Sequence, residues 1–347
     1  MTETAVGAKR RIDYYDIAKG IGIILVVWAH ARGPGFPYIY QFHMPFFFIL
    51  SGLLHNEKEQ IPVFAKKKFV RLYVPYVCWN GLAVLLTDLY SAASAYDLIK
   101  HEILILLTLQ KSAKLFGATW FMGSLFLVSI TYKILETVLR DHKFKRQSIF
   151  CLFTIFSVLG FKVTLPYMQS RTLVCGMFYA LGVLANDQLE FGIRRSNWPV
   201  AICCFILFLG IGSRNSANMG ANQYSNPFLF CVGAVSMSYA TLFISRNLIS
   251  EISVLKNVKQ VLVFLGQRSS DIMIWQFVFF RIGIIIQISI HHEPLTLGNV
   301  LAYYPYYSVD GLWWLVYTII GLVMPILFCG FLRSGPWGKA LRQLHVV

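Results

Sequence analysis

Three observations predict an all-α fold for this sequence: a polytopic membrane helical bundle of about ten transmembrane helices with both termini cytoplasmic. Composition comes first. Of the 347 residues, 56% are hydrophobic and only 14% charged, with a mean hydropathy of +0.59, whereas soluble domains hold roughly 45–50% apolar and about 25% charged residues. Second, ten apolar runs approach the ~20 residues that a helix needs to cross a hydrocarbon core of ~30 Å. Third, with the N-terminal "KRR" placed inside and the runs alternating, twenty Lys and Arg residues fall on the inner side and six on the outer. That asymmetry is the positive-inside pattern, and one misplaced span would scramble it.

The runs follow in chain order. Segment 12–31 comes directly after Lys9, Arg10 and Arg11 and shows no small-residue cleavage site, so it reads as a retained signal anchor. Segment 38–55 opens after the glycine–proline break "ARGPGFP". Pro45 suits a first helical turn there, which puts His43 at the helix start. Segment 70–90 is preceded by the basic stretch "FAKKKFVRLYVPY". The segment "LIKHEILILLTL", 98–109, is too short and charged to cross and reads as an interfacial helix. Segments 119–139, 147–165, 171–186, 197–213 and 228–246 continue the alternation, with Trp120 heading the first and Arg171 the third. Segment 271–290 carries Arg281 inside "WQFVFFRIGII", and 312–333 completes the set. With no repeat, low-complexity tract or appended soluble domain in view, 1–347 reads as a single membrane domain.

The net charge of +15 could suggest nucleic acid, but the cations sit in short clusters between apolar runs, as juxtamembrane anchors do. The expected partner is therefore the lipid bilayer and not nucleic acid, and an oligomer is compatible with everything above. All seven cysteines lie in apolar runs without a C-x-x-C pair, so they read as small hydrophobes. No histidine or cysteine spacing suits a metal, and no metal is expected. Two outside loops stand apart: 213–227 is rich in Asn, Ser and Gly, and 291–311 is dense in Tyr and Pro. Such hydroxyl and amide donors beside aromatic faces are what a sugar-binding surface offers, although turn chemistry and an interfacial tyrosine belt account for them equally.

Ionisable residues inside a span are costly and point to function. Lys19 and His30 are eleven residues apart, three turns plus ~20°, so they share one helix face ~16 Å apart. Asp16 lies three residues before Lys19 on that face, and Ile23, Val26 and Val27 fill the stripe between. Asp16 and Lys19 can neutralise one another near the cytoplasmic boundary. His30 has no such escape, and its position in the outer half of the first helix brings it toward His43 at the outer start of the second. A neutral imidazole can take a proton from a hydroxyl, the work of a general base. On the cytoplasmic side Lys66, Lys67, Lys68 and Arg71 offer partners for a phosphate-bearing ligand, or form an ordinary juxtamembrane cluster.

In that order, "YYDIAKGIGIILVVWAH", "FHMPFFFILSGLL", "KKKFVRLYVPY", "TWFMGSLF", "LGQRSSDIMIWQF" and "WWLVYTIIGLVMPI" resemble the landmarks of the acyltransferase-3 family of integral membrane O-acyltransferases. The similarity is nearest to its fucose 4-O-acetylase-like group and runs from Tyr14 to about Leu332. A basic residue, ten residues, then histidine is the family's hallmark, met here by Lys19 and His30. The resemblance implies a bacterial inner-membrane enzyme that moves acetyl from cytoplasmic acetyl-CoA to a hydroxyl of a cell-surface or lipid-linked carbohydrate. It implies His30 as catalytic residue with Lys19 and Asp16 in support, and Lys66, Lys67, Lys68 and Arg71 as the acetyl-CoA contacts. His43, Trp120, Arg171, Gln276 and Arg281 are left as candidates for the acceptor. At Gln276 the sequence departs from relatives that carry histidine, and glutamine can hydrogen-bond but not titrate.

Two other classes fit the sequence. A transporter or flippase for a polyprenyl-linked saccharide would also use about ten helices with intramembrane charges, though no inverted repeat or paired broken helices are visible. A non-catalytic partner in polysaccharide assembly would leave His30 without a chemical role.

Overall fold

The structure, a computed structural model, describes residues 2–90, 94–109, 113–249, 252–336 and 338. The first helices are α1 (Thr2–His30), a short α2 (Phe36–Tyr40) and α3 (His43–Leu53). Next come α4 (Ile61–Lys68), a π-helical turn (Phe69–Tyr73), α5 (Val74–Tyr90) and α6 (Ala95–Thr108). The middle of the chain forms α7 (Trp120–Val138), α8 (Lys145–Lys162), α9 (Gln169–Gly192) and α10 (Trp198–Gly212). Two-residue strands β1 (Ala217–Asn218) and β2 (Gln223–Tyr224) pair antiparallel and lead to α11 (Pro227–Ile244). The chain closes with α12 (Lys256–Gln267), α13 (Ser269–Ile290), α14 (Leu297–Ala302) and α15 (Trp313–Ser334).

This is an all-α, multi-pass membrane bundle. Among the described residues six helical stretches are long and apolar enough to cross a bilayer: Ile61–Leu86, Lys114–Val138, Arg195–Gly212, Pro227–Asn247, Ser269–Ile290 and Trp313–Ser334. Helices α1, α3, α8 and α9 occupy the other four apolar runs. Trp120 begins α7, and Arg171 sits in the first turn of α9, as the sequence suggested. The segment at 98–109 is also helical: α6 packs on α5, buries Ile105, exposes Ile99, Ile103 and Leu107, and is capped by Ser94 accepting from the Asp97 amide at 3.2 Å.

Segment 38–55 departs from the single helix expected of it. It breaks at Gln41–Phe42, and α3 holds eleven residues, ~16 Å of helix against a hydrocarbon core of ~30 Å. Pro45 explains the break, because it has no N–H to give the Gln41 carbonyl. Irregular backbone at membrane depth must be buried in protein, and Phe42, His43 and Phe46 are buried. The Gln41 side chain bridges the gap by donating to the Asn215 carbonyl at 3.0 Å. A second difference lies between 246 and 271, where α12 interrupts what read as a plain basic connection. Its Leu262 and Gly266 pack on α1 while Val258, Val261 and Phe264 stay exposed, an amphipathic pattern that suits a membrane interface.

Without a hydrophobic drive between helices in lipid, small residues set how closely they approach. A Cβ on Gly52 of α3 would collide with the Tyr179 carbonyl of α9, and one on Gly182 of α9 with the Ile49 carbonyl of α3. Helices α1 and α12 are joined in the same reciprocal way through Gly20 and Gly266. These contacts hold α3 and α1, which carry the two histidines. Replacing Gly182 by Leu should drive α9 off α3 and cost about 1–3 kcal/mol, read as a lower thermal midpoint in detergent. Gly210, with no atom within 4 Å of its would-be Cβ, should accept the same replacement with the midpoint unchanged.

Candidate active site

His30 ends α1, and its ring is held by α13. Its Nδ1 lies 2.9 Å from Gln276 Oε1, while Gln276 Nε2 donates to the Met273 carbonyl at 3.2 Å. The amide nitrogen being committed to Met273, the oxygen must face the imidazole, so Nδ1 carries the proton and donates. Nε2 is left with its lone pair. Phe277 packs against the His30 ring at 4.8 Å. His43 is oriented by similar means: its Nδ1 donates to the Ile39 carbonyl at 2.7 Å, across the α2–α3 break. The two imidazoles meet edge to face with centroids 6.2 Å apart.

The histidines do meet, as the sequence implied, at the break where α3 begins. Gln276 is the eighth of 22 residues in α13, which places it ~10 Å from one end of that helix and ~21 Å from the other. The half-length α3 is what allows this depth, since it starts at His43 inside the bundle rather than at its rim.

Both rings line a cavity of about 490 Å³. Ile23 and Val26 form its wall along α1, while Val27 turns away to pack near Gly321 of α15. At one end of the cavity are Ser269 and Ser270 from the first turn of α13. Toward the other are Asn218 and Gly220 of the β1–β2 hairpin, with Tyr304 and Pro305 of the loop before α15. Burial pushes the Tyr304 phenol up to about 12 although nearby Arg281 opposes it, so this hydroxyl is a proton-bearing donor at neutral pH. Gly117 leaves room for it, because a Cβ there would collide with the Tyr304 oxygen.

Trp120 and Arg171 also line the cavity. The Arg171 guanidinium stands 4.4 Å from the Trp120 ring centroid and donates from Nη1 to the Gly220 carbonyl at 2.6 Å. Gln276, fully buried, does not line the cavity and reaches it only through His30. Arg281 is not in the lining either. It donates from Nη1 to the Val300 carbonyl at 2.8 Å and to the Tyr303 carbonyl, tying down the loop that presents Tyr304. Lys19 and Asp16 form the ion pair expected of them, at 3.0 Å, and Gln267 donates to Asp16 at 3.2 Å. They lie on the α1 face below the cavity rather than in its wall. Lys66, Lys67 and Arg71 are exposed at the α4–α5 junction, with Lys67 paired to Glu59 and the Lys68 ammonium 5.3 Å from the Phe64 ring centroid.

Sequence reasoning passed over several residues. Tyr40, Asn218 and Tyr304 were visible only as members of polar or aromatic segments, and no spacing marks them. A buried polar cluster was missed as well: His55 Nδ1 lies 2.8 Å from the Tyr179 hydroxyl and its Nε2 3.2 Å from Glu136, which also takes the Lys133 ammonium at 2.7 Å. Lys133 donates further to the Glu57 carbonyl at 2.9 Å, so the cluster pins the turn after α3. Lys133 and Glu136, three apart in an apolar run, were its signal.

A helical membrane bundle with an oriented histidine in the wall of a cavity lined mostly by apolar groups defines a class, the multi-pass membrane proteins with an internal binding site. The comparisons say which: the acyltransferase-3 family, described as an acyltransferase domain, matches residues 12–334, and the chain belongs to it. It is a membrane acyltransferase. Nodulation protein NolL of Mesorhizobium japonicum is 25% identical over 313 residues, covering 81% of this chain and 80% of that protein. No solved structure matches.

The Gln276 contact has a testable consequence. Gln276→Leu removes the acceptor for Nδ1–H and should lower the rate on the order of tenfold to a hundredfold at every pH.

Proposed function

We propose that the chain is an O-acetyltransferase of the bacterial inner membrane, carrying acetyl from cytoplasmic acetyl-CoA to a hydroxyl of a cell-surface or lipid-linked carbohydrate. The observation that carries this reading is the His30–Gln276 hydrogen bond beside the cavity, because it leaves a basic Nε2 on a residue in the cavity wall. Hydroxyl, amide and aromatic groups along the outer part of that wall, Tyr40, Asn218, Trp120 and Tyr304, suit a saccharide.

Acetyl-CoA supplies an activated thioester. Its phosphates match the exposed cations Lys66 and Arg71, with Lys67 and Lys68 beside them. His30 Nε2 accepts the proton of the acceptor hydroxyl as that oxygen bonds to the acetyl carbon. The C–S bond then breaks, and the imidazolium returns the proton to the departing thiolate. Gln276 holds the ring in the tautomer this needs, as the acceptor on Nδ1 does in other histidine-based acyl transfers. The Lys19–Asp16 pair is a positioning element at the inner end of α1.

A flippase for a lipid-linked saccharide retains one supporting observation, the broken α2–α3 segment at membrane depth, a feature of transporter binding sites. The two readings separate in one assay on detergent-purified protein. Transfer of labelled acetyl from acetyl-CoA to saccharide acceptors is expected for the wild type. His30→Ala should lose it by at least about three orders of magnitude with an unchanged thermal midpoint. The double variant Lys68→Gln with Arg71→Gln should raise the KM for acetyl-CoA about tenfold and leave kcat near wild type. No transfer by the wild type, or full transfer by His30→Ala, would sink the proposal.

A further inference from the structure

Among the described residues that line the cavity Arg171 carries the charge, and there is no Asp or Glu beside the two neutral imidazoles. Arg171 is only 5% exposed. Burying a guanidinium costs free energy even near a helix end, and a buried charge in a cavity wall is a candidate ligand contact. The place of Arg171 is fixed from two sides, by the Trp120 face at 4.4 Å and by the Gly220 carbonyl of the β1–β2 hairpin at 2.6 Å. The planar fork of an arginine matches the oxygens of a carboxylate or phosphate, and stacking on an aromatic face holds the fork in one orientation.

Position adds to chemistry. Arg171 opens α9 on the side that presents the hairpin and Tyr304, while the exposed cations of the α4–α5 junction lie outside the cavity. It therefore faces the part of the cavity assigned to the acceptor, away from the proposed nucleotide site. We infer that the acceptor is an anionic saccharide, whose carboxylate or phosphate is held by Arg171 while its hydroxyl is presented to His30. This rests on the carbohydrate-transfer reading above and narrows it. A carboxylate would come from an acidic sugar of the glycan itself. A phosphate would come from the anomeric position of a lipid-linked sugar.

The test measures binding on the full chain in detergent, by saturation-transfer NMR with three probes: methyl β-D-glucuronide, methyl β-D-glucoside and glucose 1-phosphate. At least one acidic probe should bind about tenfold or more tightly than the neutral glucoside, and the tighter of the two identifies the source of the anion. Arg171→Gln should bring that probe to parity with the glucoside. Arg171→Lys keeps the charge without the fork and covers the case in which the glutamine variant does not fold. It should lose about threefold to tenfold for the acidic probe alone. Parity of all three probes in the wild type, failure of both acidic probes to bind, or a preference that survives at Arg171→Gln and Arg171→Lys overturns the inference. Acetyl transfer read in parallel keeps the two proposals apart. Transfer without anion preference removes this one alone, and anion preference without transfer removes only the enzymatic reading.

Discussion

A polar group inside a bilayer has no water to satisfy it, and the arrangement around His30 follows from that constraint. Its Nδ1–H needs an acceptor from the protein, and Gln276 supplies one from a neighbouring helix at 2.9 Å. Gln276 in turn needs somewhere to place its own amide hydrogens, and uses the Met273 carbonyl. Each satisfied contact orients the next group, so a solvation requirement ends by choosing a tautomer. The same requirement explains His43, which spends its Nδ1–H on the Ile39 carbonyl. It also explains the His55–Glu136–Lys133 cluster, where the ions and the imidazole answer one another below α3.

Depth is the second consequence. His43 is the first residue of α3 and is buried in the bundle. The break at Gln41–Phe42, imposed by Pro45, starts α3 inside the bundle, and the Gly52–Gly182 contact with α9 keeps it there. His30 meets His43 from the end of α1, a helix whose approach to α12 is set about ten residues earlier by Gly20 and Gly266. Both rings thus face a cavity whose lining extends from the first turn of α13 to loops at the far end of the bundle. For an acyl transfer whose donor and acceptor arrive from opposite sides, the reacting groups have to meet at such a depth.

Parts of the site were legible because they broke a strong pattern. Lys19, His30, Arg171 and Arg281 interrupt apolar runs where charge is costly, and their register on a helix needs only the 3.6-residue period. Roles were harder to read than positions. Arg281 proved to anchor a loop and Gln276 to orient His30, because a side chain's partner on another helix is a tertiary fact. Asn218 and Tyr304 were hidden for a different reason: in polar or aromatic loops they violate no rule. Helix α12 escaped notice because its apolar face is narrow and sits within a basic connection.

Hydropathy and charge placement determined by themselves that this chain is a membrane bundle, which runs are apolar, and that Lys19, Asp16 and His30 share one face. Those properties depend on the local cost of transferring side chains to lipid and on helical period, both of which are written along the chain. The family motifs added the expectation of acyl transfer. Only the tertiary structure decided that α3 is half a span, that His30 pairs with Gln276, and that Arg171 rather than Arg281 lines the cavity. These depend on which helices become neighbours and how closely their glycines let them approach, and neither is encoded in the period or hydropathy of any one segment.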